Sequence, residues 1–108
     1  MKLKQSISLL DGKEQVAVFE KVLEMPCLPP IGSKVFFGNG IGSGIGHIVS
    51  SITFSESSGE YSVHYTLDVK QEAQNYVDYV DVRFFVNLLS KRQGFAALWI
   101  EDEYESLL

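Results

Sequence analysis

Between Glu60 and Lys70 the chain alternates without a break. Tyr61, Val63, Tyr65, Leu67 and Val69 take turns with Ser62, His64, Thr66, Asp68 and Lys70. Strict period-2 alternation predicts a strand with one buried and one wet face, as in an antiparallel sheet. Lys2 to Leu10 and Glu14 to about Met25 also read as strands, joined by the tight-turn pair Asp11-Gly12. In the second, Ala17, Phe19, Leu23 and Met25 share a face interrupted by Lys21, while Val16, Val18 and Val22 share the other, interrupted by Glu20 and Glu24. A helix from Glu14 to Glu24 is the competing reading; the valines and the Asp-Gly turn favour the strand. Further strands are predicted at Lys34 to Phe37, at His47 to Ser55 with Ile48, Ile52 and Phe54 on one face, and at Phe95 to Ile100. Pro26, Pro29 and Pro30 break regular structure and make a rigid arm into the third strand.

The period changes late in the chain. Gln71 to Tyr76 is polar and reads as a loop. Val80, Phe84, Phe85, Leu88 and Leu89 then recur at helical spacing, with Asp78 or Asp81 as the cap. Lys91 and Arg92 suit the last turn, Gly94 suits the left-handed residue after it, and Phe95 folds back onto the helix. These elements predict an α+β domain spanning 1–108. It has a strongly curved antiparallel sheet of about six strands, small-barrel-like, with one helix before the last strand.

The middle of the chain is glycine at every second position: Gly38, Gly40, Gly42, Gly44 and Gly46. It reads as a connection between two strands. Asn39, Ile41 and Ser43 are the side chains it offers to a ligand or partner. The dinucleotide and P-loop spacings both fail here, and no helix pattern follows to supply an anion site, so no cofactor is expected.

Composition narrows the function classes. The 108 residues are 45% hydrophobic and carry a formal charge of −5. Basic residues are scattered, with only Lys91 and Arg92 adjacent, so a nucleic-acid partner is not expected. The longest apolar run, Phe95 to Ile100, is too short to span a bilayer, and a soluble cytoplasmic protein without a membrane partner is expected. The single cysteine, Cys27, excludes an internal disulfide and reads as a small buried residue. Acid gathers in the tail 101–108, at Glu101, Asp102, Glu103 and Glu105. That run reads as a solvated, frayed terminus; its alternative is a docking patch for a basic partner.

Candidate chemistry is thin. His47 and His64 are the only histidines, and with Asp68 they make at best a weak metal or catalytic set of no known spacing; no metal is expected. There is no G-x-S-x-G elbow. Asp68-Val69-Lys70 matches half of a nuclease core, but the pattern is short and the net charge opposes it. Tyr76 and Tyr79, beside Asp78 and Asp81, have the make-up of a binding surface. Three functions follow. The first is a non-enzymatic interaction module, self-associating as a homodimer. The second is an acidic inhibitor or immunity-type protein docking on a basic partner through Glu101 to Glu105 and the segment 76–81. The third is a small enzyme or metal-binding protein using His47, His64 and Asp68.

Overall fold

The computed structural model describes residues 1–38 and 45–108. β1 (Lys2–Asp11) and β2 (Glu14–Glu24) form a hairpin closed by Gly12, whose φ of 70° is the left-handed value that pairs well with glycine. β3 (Lys34–Phe36), β4 (Gly46–Ser55) and β5 (Glu60–Asp68) form an antiparallel meander. β6 (Ala96–Ile100) returns antiparallel to β2. The sheet order is β3-β4-β5-β1-β2-β6.

The all-antiparallel expectation is corrected at one joint. β5 runs parallel to β1, with Ile7 beside Tyr65 and Leu9 beside Leu67. The alternation of a strand reports its two faces and carries nothing about a neighbour's direction. Here the chain leaves β2, crosses to the far edge, and builds the meander inward until its third strand meets β1. The result is an open mixed sheet whose ends are β3 and β6, not a closed barrel.

One face of the sheet is covered. Leu3, Ile7 and Leu9 of β1, Ala17 and Phe19 of β2, Val49 of β4, and Val63, Tyr65 and Leu67 of β5 are buried there. The covering layer begins at α1 (Val69–Glu72), followed by a 3-10 turn at Ala73–Asn75, so the loop expected over Gln71 to Tyr76 is corrected. One polar turn has no periodicity to read, and Asp68 starts it by accepting from the Lys70 N–H at 3.1 Å. α2 (Val82–Asn87) is capped by Asp81, which accepts from the Phe84 N–H at 3.3 Å, and it buries Val82, Phe85 and Val86. It widens into a π turn over Leu88–Arg92. Gly94, at φ 76°, then lets the Phe95 N–H reach the Leu89 carbonyl at 2.9 Å, as the stop signals predicted.

Three smaller expectations change. A bulge between Val49 and Ser51 switches the faces of β4, so Ile48 is exposed and Val49 is buried, while Ile52 pairs with Val63. The acidic tail is not frayed: Asp102–Leu107 forms a 3-10 helix with Tyr104 and Leu107 packed on the core, and the Glu101 N–H donates to the Val16 carbonyl at 3.0 Å. Cys27 is exposed, since it follows Pro26 out of the end of β2 instead of entering the core.

Candidate functional site

Asn39, Ile41 and Ser43 lie outside the described residues. What holds the two ends of their connection is visible. On one side Phe37 is buried, with its ring 5.8 Å from that of His47, 5.4 Å from Tyr65 and 4.9 Å from Phe95. On the other, the Gln93 side chain donates to the Ile45 carbonyl at 3.1 Å and accepts from His47 Nε2 at 2.7 Å. Because the amide's N–H₂ end is turned to Ile45, its oxygen faces the imidazole, which must carry its proton on Nε2. Lys21 Nζ donates to the Gln93 backbone carbonyl at 2.7 Å and lies 5.6 Å and 5.4 Å over the rings of Phe37 and Phe95. Nearby, the Tyr65 hydroxyl donates to Gln5 Oε1 at 2.6 Å on the fully buried side of β1.

Burial dominates the electrostatics of this cluster. It lowers the His47 pKa, against the opposing pull of the Gln93 hydrogen bond and the Glu72 charge. It lowers that of Lys21 and pushes the Tyr65 hydroxyl up to about 12. Among the described residues no buried side-chain nitrogen or oxygen lacks a hydrogen-bond partner. The arrangement is a clasp whose polar atoms are spent on one another. Gly46 adds a close approach: a Cβ there would stand 2.6 Å from Lys34 Cγ and 2.9 Å from Phe36 Cε1, so the missing side chain lets those two lie across the strand.

The structure separates the two histidines. His47 packs on the Tyr65 ring on the covered face. His64, next to Tyr65 in β5, points to the open face and pairs with Thr53 Oγ1 at 2.9 Å. Asp68 Oδ1 is engaged by the Lys70 and Gly12 N–H groups, at 3.1 and 3.3 Å. The described residues include no group of three or more His, Cys, Asp or Glu able to hold a metal ion.

A second place gathers two segments singled out in the sequence. A cleft of about 570 Å³ lies between the 79–83 segment, α1 and the C-terminal 3-10 helix. Tyr79, 90% exposed, and Glu103 and Tyr104 are among the residues that line it. Asp11 and Asp81 add acid to its lining, and Lys70 and Arg83 add base. Burial first, then the charges of Glu103 and Asp11, raise the Tyr104 pKa. The Glu101 carboxyl is raised by desolvation first and then by Glu14 and Glu103 beside it. A second hollow, lined by Trp99, Ile100, Glu101 and Asp102, has Glu103 in common with the cleft.

The other expected binding residues divide. Asp78 is exposed, and Val77 beside it is fully so. Tyr76 turns inward, its ring 5.2 Å from Phe84 and 5.9 Å from Phe85, and serves packing instead of the surface. Gln5 and Gln93 were not foreseen. For Gln5 the signal was its place between Leu3 and Ile7 on an apolar face; for Gln93, which follows a helix in an irregular turn, there was none. Against known proteins, no family model matches this chain, and neither a curated protein nor a solved structure does.

Proposed function

We propose that this chain is a non-catalytic interaction module that seats a basic segment of a partner protein in the Tyr79–Glu103 cleft. The observation that carries the reading is a juxtaposition. Tyr79, Val80 and Asp81, and Glu103 and Tyr104 of the C-terminal helix, far apart in sequence, line one open cleft. Tyr79 offers a rigid aromatic contact with a polar tip, the usual anchor of protein interfaces. Its exposure, with that of Val77, leaves apolar surface in water that a partner would cover. Glu103 in the lining, with Asp11 and Asp81, supplies the negative charge that draws a cationic segment in. This favours the acidic-inhibitor reading over simple self-association as the main activity. The engaged polar atoms of the clasp and the two histidines on opposite faces weigh against an enzyme built on His47, His64 and Asp68.

The experiment is an NMR titration of the labelled chain with an Arg- and Lys-rich octapeptide containing one leucine. The expected shifts centre on Tyr79, Arg83, Glu103 and Tyr104 and fade with added salt. Tyr79→Ala is expected to weaken binding about tenfold or more without changing stability by more than about 0.5 kcal/mol. Shifts confined to the open sheet face, or binding indifferent to both salt and Tyr79→Ala, would remove the cleft from the reading.

A further inference from the structure

We infer that β6 is a pairing edge for a second copy of this chain, joined antiparallel about a two-fold axis. The inference uses a different surface from the cleft and does not rest on it. Among the described residues β6 ends the sheet, which leaves one side of its backbone without a neighbouring strand. Native sheets guard such edges, and the two edges here are guarded unequally. β3 is three residues long, starts with Lys34 and is entered through the Pro29-Pro30 arm. β6 reads Ala96-Ala97-Leu98-Trp99-Ile100, with no charge and no proline. Its one irregularity is a register shift that leaves Leu98 without an opposite residue on β2. Leu98 is 64% exposed and Trp99 49% exposed, apolar surface that an added strand would cover.

Charge selects the occupant and its direction. Lys91 and Arg92, both exposed, close the π turn five and four residues before β6, and Glu101 and Asp102 come just after it. In an antiparallel pair, residues past the C-terminal end of one strand lie beside residues preceding the other. Two copies of β6 therefore bring the basic end of each against the acidic end of its mate, twice by symmetry. A parallel pair would set acid against acid. The faces also agree. Ala96 lies opposite Glu20 and Trp99 opposite Val18, both on the open face of β2, so Ala96 opposite the mate's Trp99 keeps that face continuous. The joint is narrow, so the pair is weak and reversible, with a Kd of about 1 µM to 1 mM.

Sedimentation equilibrium of the full chain tests this at low salt, up to about 1 mM protein. A monomer–dimer equilibrium is expected. Leu98→Lys is expected to leave only monomer while keeping the circular dichroism spectrum and urea midpoint of the parent, since Leu98 supports nothing in the single chain. Lys91→Glu and Asp102→Lys are each expected to weaken the dimer about tenfold, and mixing the two variants is expected to restore a heterodimer. A parent chain that stays monomeric throughout overturns the inference. So does a dimer whose Kd is unmoved by Leu98→Lys, or one for which mixing the charge variants recovers nothing.

Discussion

Replacing Gln93 by leucine tests whether the clasp holds the ends of the glycine connection. Leucine fills a similar volume, so packing loss is small and the polar loss dominates. The substitution strands two groups at once: the Nε2–H of His47, which had its acceptor at 2.7 Å, and the carbonyl of Ile45, which had its donor at 3.1 Å. His47 and Gln93 are both almost fully buried, so water does not readily take the vacated places. An orphaned buried polar group costs about 1–3 kcal/mol, which makes the expected loss for the two about 2–6 kcal/mol. Against a domain stability of about 5–15 kcal/mol this is a large fraction. Urea unfolding followed by Trp99 fluorescence and by circular dichroism measures it. With a slope of about 1–3 kcal/mol per molar urea, the midpoint is expected to fall by about 1–3 M. The double variant His47→Phe with Gln93→Leu is expected to recover part of the loss, because one stranded donor is then gone. A midpoint moved by less than about 0.3 M, or a double variant worse than the sum of the singles, would refute the reasoning that these hydrogen bonds hold the loop ends.

Two other outcomes follow from the same geometry. Burial sets the folded pKa of His47 below its ordinary 6.5, so the stability tied to its neutral form is complete above that value and is lost as pH falls through the folded pKa. Urea midpoints measured from about pH 8 down to about pH 5 are expected to decline in the parent and to flatten in His47→Gln; an equal decline in both would assign the effect to other groups. Asp68→Ala removes the acceptor shared by the Lys70 and Gly12 N–H groups and is expected to cost about 1–2 kcal/mol in the same assay, with Asp68→Asn recovering most of it.

How much of this was legible in the sequence depends on what each signal physically reports. The alternation from Tyr61 to Lys70 reports two faces of different polarity, and β5 has them as far as Asp68, with Val63, Tyr65 and Leu67 buried and Thr66 exposed; the strand expected to reach Lys70 is corrected at Val69, where the Asp68 cap turns the chain into α1. The stop signals at Gly94 and Phe95 report backbone requirements local to a few residues, and they too were met. The direction of β5 against β1 was not legible, because strand pairing is decided by partners far apart in sequence. The bulge in β4 was not legible either: one extra residue exchanged the faces of Ile48 and Val49, and both are good strand formers. Tyr79 and the acidic run were named separately from composition, and only the fold puts them at one cleft. The clasp was invisible for a further reason. Glutamine is ordinarily a surface residue, and only placement at the end of α2 and its π turn buries Gln93 between His47 and Ile45.

The distribution of perturbed groups bears on where function resides. Shifted pKa values often mark reactive centres, because catalysis needs a group held away from its ordinary behaviour with a free atom to act. The clasp meets the first condition only. Lys21, His47 and Tyr65 are shifted chiefly by burial, and Lys21 Nζ, His47 Nε2–H and the Tyr65 hydroxyl each already make a hydrogen bond of 2.7 Å or shorter. A group so engaged must break that bond before it can touch a substrate. The loss worked out above for Gln93 is the scale of that obstacle. At the cleft the order is reversed. Tyr79 is in water and the Glu103 carboxylate is exposed, and away from the cleft apolar side chains stand uncovered at Val77 and Trp99. Exposed apolar and aromatic side chains such as Val77 and Tyr79 gain by contact and by exclusion of water. Polar groups engaged inside and uncovered side chains outside are the division that the proposed interaction reading predicts.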